Sequence, residues 1–82
     1  MDLVKLTEFL VKSLVTNPDL VSVKEFSDDE GINIEILVSN EDMATVIGKS
    51  GVTANAIRTL VQAAAYNNRM PKVRINIDAR EA

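Results

Sequence analysis

Eighty-two residues with a formal net charge of −3 and neither cysteine nor histidine allow one domain with a single modest hydrophobic core. They exclude thiol nucleophiles, imidazole bases, disulfides and the common zinc sites together, so any catalysis would have to run on carboxylates, lysines or hydroxyls. The charge is uneven: residues 1–42 carry ten acids against three lysines, whereas residues 43–77 carry Lys49, Arg58, Arg69, Lys72 and Arg74 and no acid, so a net acidic chain can still present a locally basic surface.

The N-terminal MDLVKLTEFLVKSLV mixes acids and lysines into an apolar pattern. It fits neither a signal peptide nor a membrane span, which predicts a cytoplasmic protein without a membrane partner. Leu3, Leu6, Phe9, Leu10, Ser13 and Leu14 recur at three and four residues, predicting an amphipathic helix with this face on the core, stopped at Asn17-Pro18. Val4, Val11 and Val15 form a second, weaker stripe. LVSVKEF (20–26) reads as a strand, SDDEG as a turn, and INIEILV (32–38) as a strand with Ile32, Ile34, Ile36 and Val38 on one side. SNEDMATVI offers Ser39 or Asn40 as N-cap and acids in the first turn, so a short helix is expected to about Ile47. After GKSG, a longer helix holds Ile57, Leu60, Val61 and Ala64 at core spacing. NNRMP breaks it, and KVRINID forms a last strand with Val73, Ile75 and Ile77 inward.

The order is helix, strand, strand, helix, glycine loop, helix, strand. Three strands are too few to close a barrel, so the fold class is α+β, with three helices on one sheet face and the other left polar. Ser22, Lys24, Asn33, Glu35, Arg74 and Asn76 suit that open face, and Phe26 and Leu37 would share it.

Between two apolar helical stretches, GKSG interrupts the periodicity. Glycines at both ends permit backbone angles that a side chain forbids and let another backbone come close. The second helix starts here, so its unpaired N–H groups and positive dipole end point into the same space, which suits phosphate. Lys49 adds a mobile charge and Ser50 a hydroxyl. The plainer reading is a glycine C-cap followed by an ordinary turn. The letters GKS also end the phosphate-binding loop G-x-x-x-x-G-K-[ST], but Met43 stands where its first glycine belongs and a helix precedes it instead of a strand, which excludes a nucleoside triphosphatase.

VIGKSGVTANAIRTLV resembles the V-I-G-x-x-G signature of KH domains, and the element order is similar to their type II, prokaryotic arrangement. The resemblance covers essentially the whole chain, residues 1–82, as one domain. In size and in the VIGKSG…AIRTLV run it resembles the short single-KH bacterial proteins of the KhpA family. It departs from the general KH pattern at Ala54, commonly a bulky aliphatic, and in its acidic total. The resemblance implies that GKSG clamps the backbone of about four unpaired nucleotides while bases lie across an aliphatic groove. Gly48 and Gly51 would allow close approach, Lys49 and Ser50 would meet phosphate, and Val46, Ile47 and Ala54 would line the groove over Ile36 or a neighbour on the middle strand. The opposite wall would be NNRMPK, with Arg69 and Lys72. Arg58, seven residues after Gly51, is either a phosphate contact or a solvated helix residue.

The only aromatics are Phe9, Phe26 and Tyr66, Phe9 falling on the expected core face, so no stacking platform like that of an RRM is expected. Binding of single-stranded RNA is then weak for one domain, roughly micromolar, and gains from a second linked domain. The resemblance likewise implies a homodimer, or a heteromer with a larger KH-containing protein implicated in cell elongation and division. A non-catalytic RNA-binding module, acting as an RNA chaperone or post-transcriptional regulator with no cofactor, is the leading expectation. A KH-shaped assembly module that binds no RNA is the alternative. An enzyme is disfavoured, because no nucleophile stands beside a base.

Overall fold

A computed structural model describes residues 2–80, leaving Met1, Glu81 and Ala82 outside the described residues. Helix α1 spans Leu3–Lys12, and Asp2 caps it by accepting the Lys5 N–H at 3.1 Å. Its buried stripe is Leu3, Thr7 and Val11, at steps of four. Phe9, expected in the core, is 69% exposed: two residues beyond Thr7 at 100° each, it lies on nearly the opposite side of the helix. Thr7 tolerates burial because its hydroxyl donates to the Leu3 carbonyl at 2.7 Å.

Helix α1 also stops earlier than the Asn17-Pro18 signal suggests. Asp42, from the next helix, accepts the backbone N–H of Thr16 at 2.9 Å and of Asn17 at 3.1 Å, so the chain turns toward that carboxylate. Asp42 is 2% exposed and fully hydrogen-bonded, also accepting from the Thr16 and Ser39 hydroxyls, each at 2.9 Å. These donors, led by the Thr16 backbone N–H, hold its carboxyl far below the usual carboxylate range.

Strand β1 (Ser22–Asp28) lies two residues later than expected and pairs antiparallel with β2 (Gly31–Val38). The turn tightens to Asp29 and Glu30 because the Asp28 carboxylate takes the Glu30 N–H at 2.8 Å and the Asn33 side chain at 2.8 Å. Strand β3 (Val73–Ala79) runs parallel to β2, with Ile34 opposite Ile75, and the sheet order is β1-β2-β3. Ile32, Ile34, Ile36 and Val38 all face inward and are buried, as their alternation requires. The opposite face carries Lys24, Glu35 and Asn76 in one row and stays open, with Phe26 52% exposed on it.

Helix α2 (Asn40–Ile47) and helix α3 (Val52–Asn67) complete the layer over the sheet. Ser39 occupies the N-cap position of α2 but makes no capping bond, its hydroxyl being committed to Asp42. On α3 the buried residues are Ala54, Ile57, Val61 and Ala65. Leu60, expected in the core, is 53% exposed, because α1 meets α3 on a neighbouring stripe and leaves its outer flank uncovered. No helix among the described residues is long and apolar enough to cross a membrane.

Candidate nucleic-acid interface

Helix α2 ends at Gly48, whose N–H donates to the Ala44 carbonyl at 2.9 Å. Its backbone lies at φ 77°, ψ 172°, a region open essentially to glycine alone. A Cβ there would sit 2.8 Å from the Thr53 backbone nitrogen, so Gly48 lets α3 start directly against the end of α2. Lys49–Gly51 then form a tight turn, in which the Gly51 N–H donates to the Gly48 carbonyl at 3.2 Å. Gly51 is left-handed at φ 80°, ψ 12°, and among the described residues, its chain neighbours aside, a Cβ there would meet nothing closer than the Asn55 Nδ2 at 3.9 Å. Gly48 is thus closed against the protein's own helix, whereas Gly51 faces open space.

Ser50 is also left-handed, at φ 56°. Both Ser50 and Lys49 are exposed, and neither side chain has a partner among the described residues. No side chain caps the start of α3. One ammonium, one hydroxyl and an uncapped helix N-terminus therefore converge beside Gly51. This arrangement can hold an anion.

From this corner a hydrogen-bonding stripe runs along α3. Asn55, Arg58, Gln62 and Tyr66 follow at steps of three, four and four, so they share one flank. The Arg58 Nη1 donates to Asn55 Oδ1 at 3.1 Å and its Nε to the Ile75 carbonyl at 3.3 Å. The Gln62 amide donates to the Val73 carbonyl at 3.1 Å. Both side chains occupy carbonyls on the free edge of β3, the outer strand of the sheet. Arg58 is therefore not merely a solvated residue: it ties α3 to β3 while remaining partly exposed.

The other expected site residues scatter. Val46 and Ala54 are 0% and 2% exposed, so they support the surface from beneath instead of lining a groove, and Ile36 lies equally deep in the core. Ile47 is half-buried. Arg69 and Lys72 are exposed but stand beyond the far end of α3, roughly 24 Å of helix from GKSG at 1.5 Å per residue. Asn55, Gln62 and Tyr66 were not among the residues expected from the sequence, although their spacing on α3 marks a common flank.

The opposite flank of α3 is apolar. Phe9, Leu10 and Leu14 meet Thr53, Ala56 and Leu60 around a surface cavity of about 270 Å³. Arg58 is the only charged residue in α3, and it lies on the β3 side.

The chain was compared with known proteins. Over residues 4–77 it matches the model of the family described as KhpA/KhpB, KH domain. It is 49% identical over 65 residues to the RNA-binding protein KhpA of Caldanaerobacter subterraneus, covering 79% of this chain and 87% of that one. With the Clostridium perfringens protein of the same name it shares 52% identity over 61 residues, 74% of this chain and 81% of the other. For the Halalkalibacterium halodurans protein of that name the figures are 43% over 72 residues, 88% and 93%. Among solved structures, Era from Aquifex aeolicus superposes with a TM-score of 0.69 at 16% identity, over 95% of this chain but only 30% of that one, a likeness of fold alone. The α+β order with its mixed three-stranded sheet is the type II KH arrangement, and the chain belongs to the KhpA/KhpB family of KH-domain proteins.

Proposed function

We propose that this chain is a single KH domain that binds single-stranded RNA without catalysis, holding the sugar-phosphate backbone at the GKSG corner. The observation that carries this reading is the open approach at Gly51, flanked by the unpartnered Lys49 and Ser50 at the uncapped start of α3. The relatives' shared description as RNA-binding proteins supports the same ligand. With two or three phosphates neutralised, the salt slope for a single strand is about −1.4 to −2.1. A role as an RNA chaperone or post-transcriptional regulator in the cytoplasm, serving cell elongation and division beside a larger KH-containing partner, suits such modest, backbone-centred binding.

A labelled, unstructured RNA pool tests the reading at two salt concentrations, against wild type and the Lys49→Asp, Ser50→Asp double variant. Both side chains are exposed, so the variant should fold normally. Salt-sensitive binding by wild type, lost in the folded variant, is the expected result. Equal binding by both proteins, or none by either, returns the loop to a structural corner.

Self-association through the apolar flank between α1 and α3 is the second part of the reading. Phe9, Leu14 and Leu60 are exposed there at 69%, 40% and 53%, and α3 offers no charge on that side to repel an identical copy. Linking two such domains raises RNA affinity through effective concentration. Sedimentation equilibrium should find wild type dimeric and Leu60→Asp monomeric; identical masses would remove this flank as the contact.

A further inference from the structure

At the C-terminal end of α3, Tyr66 is 83% exposed, and its hydroxyl has no partner among the described residues. It lines two open cavities. One, of about 340 Å³, is lined by Gln62, Met70, Lys72 and Val73, and the other, of about 460 Å³, by Asn67, Arg69 and Met70. Each concavity therefore combines the aromatic with a cation of its own, Lys72 in one and Arg69 in the other.

The backbone here takes a left-handed turn at a residue that is not glycine. Met70 N–H bonds the Ala65 carbonyl and Arg69 N–H the Tyr66 carbonyl, each at 3.0 Å, which is the Schellman ending of a helix. Its left-handed position normally belongs to glycine. Here Arg69 holds it, at φ 55°. A residue kept in a disfavoured conformation points to its side chain as the reason.

We propose that Tyr66 stacks a nucleobase of the bound strand, with Arg69 and Lys72 meeting phosphates on either side, so that the RNA footprint runs along α3 from GKSG to this second corner. The proposal rests on the RNA reading above and extends it. Tyr66 lies on the flank of Asn55, Arg58 and Gln62, about 21 Å from Val52 along the helix. Even at the shortest, fully stacked rise of about 3.4 Å per nucleotide, eight nucleotides span this distance. Beyond Lys72 the path closes: Pro71 adjoins the acidic turn of Asp28, Asp29 and Glu30, which repels a polyanion. A single aromatic thus supplies the stacking that composition appeared to rule out.

Tyr66 is the only tyrosine in a chain without tryptophan, so intrinsic emission reads this site alone. Unlabelled U8 RNA should quench wild-type Tyr66 emission by more than half at saturation. By anisotropy of labelled U8, Tyr66→Ala should bind about tenfold more weakly, Tyr66→Phe should stay within about twofold of wild type, and the variants should melt like wild type because the ring packs on little. Binding that depends on Lys49 and Ser50 but not on Tyr66, with emission unchanged, overturns this inference and leaves the RNA reading standing. Failure of wild type to bind U8 overturns both. Emission that changes with protein concentration alone, and no further with U8, assigns the ring to a protein contact and overturns it as well.

Discussion

Helix α3 is flanked by left-handed residues at both ends, Gly51 before its first turn and Arg69 after its last, and the two corners resolve the same backbone requirement in opposite ways. At the first corner a glycine removes the side chain. A Cβ there would come no closer than 3.9 Å to the Asn55 side chain, its chain neighbours aside, so a ligand can approach main-chain atoms. At the second an arginine keeps its side chain in a conformation that costs about 1–2 kcal/mol for an L-residue, and a guanidinium is displayed beside an exposed tyrosine. One corner is built to be approached and the other to reach out. The same left-handed angle therefore has no single meaning until its surroundings are known.

The difference can be broken first at the GKSG corner, where the largest effect is expected. Gly48→Ala introduces a side chain into a region of backbone space closed to it, against the Thr53 nitrogen, and should destabilise the fold by about 3 kcal/mol. Gly51→Ala meets open space and should cost only about 1–2 kcal/mol of conformational strain. Urea unfolding of the two variants checks this, and equal losses would mean that the glycines do the same job.

A smaller effect, of opposite sign, is expected at the other corner. Arg69→Gly removes the strain but adds freedom to the unfolded chain, for a net gain of about 0.5–1 kcal/mol. If stability rises while RNA affinity falls, the arginine is retained for its side chain. If stability falls, the left-handed position carries no strain worth relieving.

Around neutral pH the contribution of Asp42 does not vary with pH, and acid sharpens the comparison. Its folded carboxyl lies below the ordinary value of 3.8, so its stabilising contribution is complete above about pH 4. That contribution fades as pH falls below 3.8, because the unfolded chain takes up the proton first. Asp42 anchors the start of α2, which leads into GKSG, and touches nothing at the Arg69 corner. Below pH 4, hydrogen exchange should quicken at Thr16, Asn17 and the first turn of α2 before it does at the end of α3. Asp42→Asn should flatten this acid dependence; simultaneous loosening at both corners would show that the latch is not local.

Some of this was legible in the residues. The alternation of Ile32, Ile34, Ile36 and Val38 predicts a half-buried strand because side chains leave a strand on alternate sides. The element order, the interrupted helix at GKSG and the acid-free stretch from 43 to 77 all follow from composition and spacing. The helical faces were harder, since α1 has two apolar stripes and a repeat of three and four residues suits either. Packing against the sheet selects Leu3, Thr7 and Val11, while Phe9 and Leu60 are left outside.

By itself, the sequence determined what is local: period, caps, the glycine break and the segregation of charge, all set by residues within a few positions of one another. Tertiary structure alone decided what depends on distant segments meeting. It separated Gly48, pressed against Thr53, from the open Gly51, sank Val46 and Ala54 beneath the surface and tied Arg58 to the edge of β3. It also left Tyr66 exposed in the lining of two concavities, one with Lys72 and one with Arg69, because a ring's exposure is decided by whichever elements pack beside it.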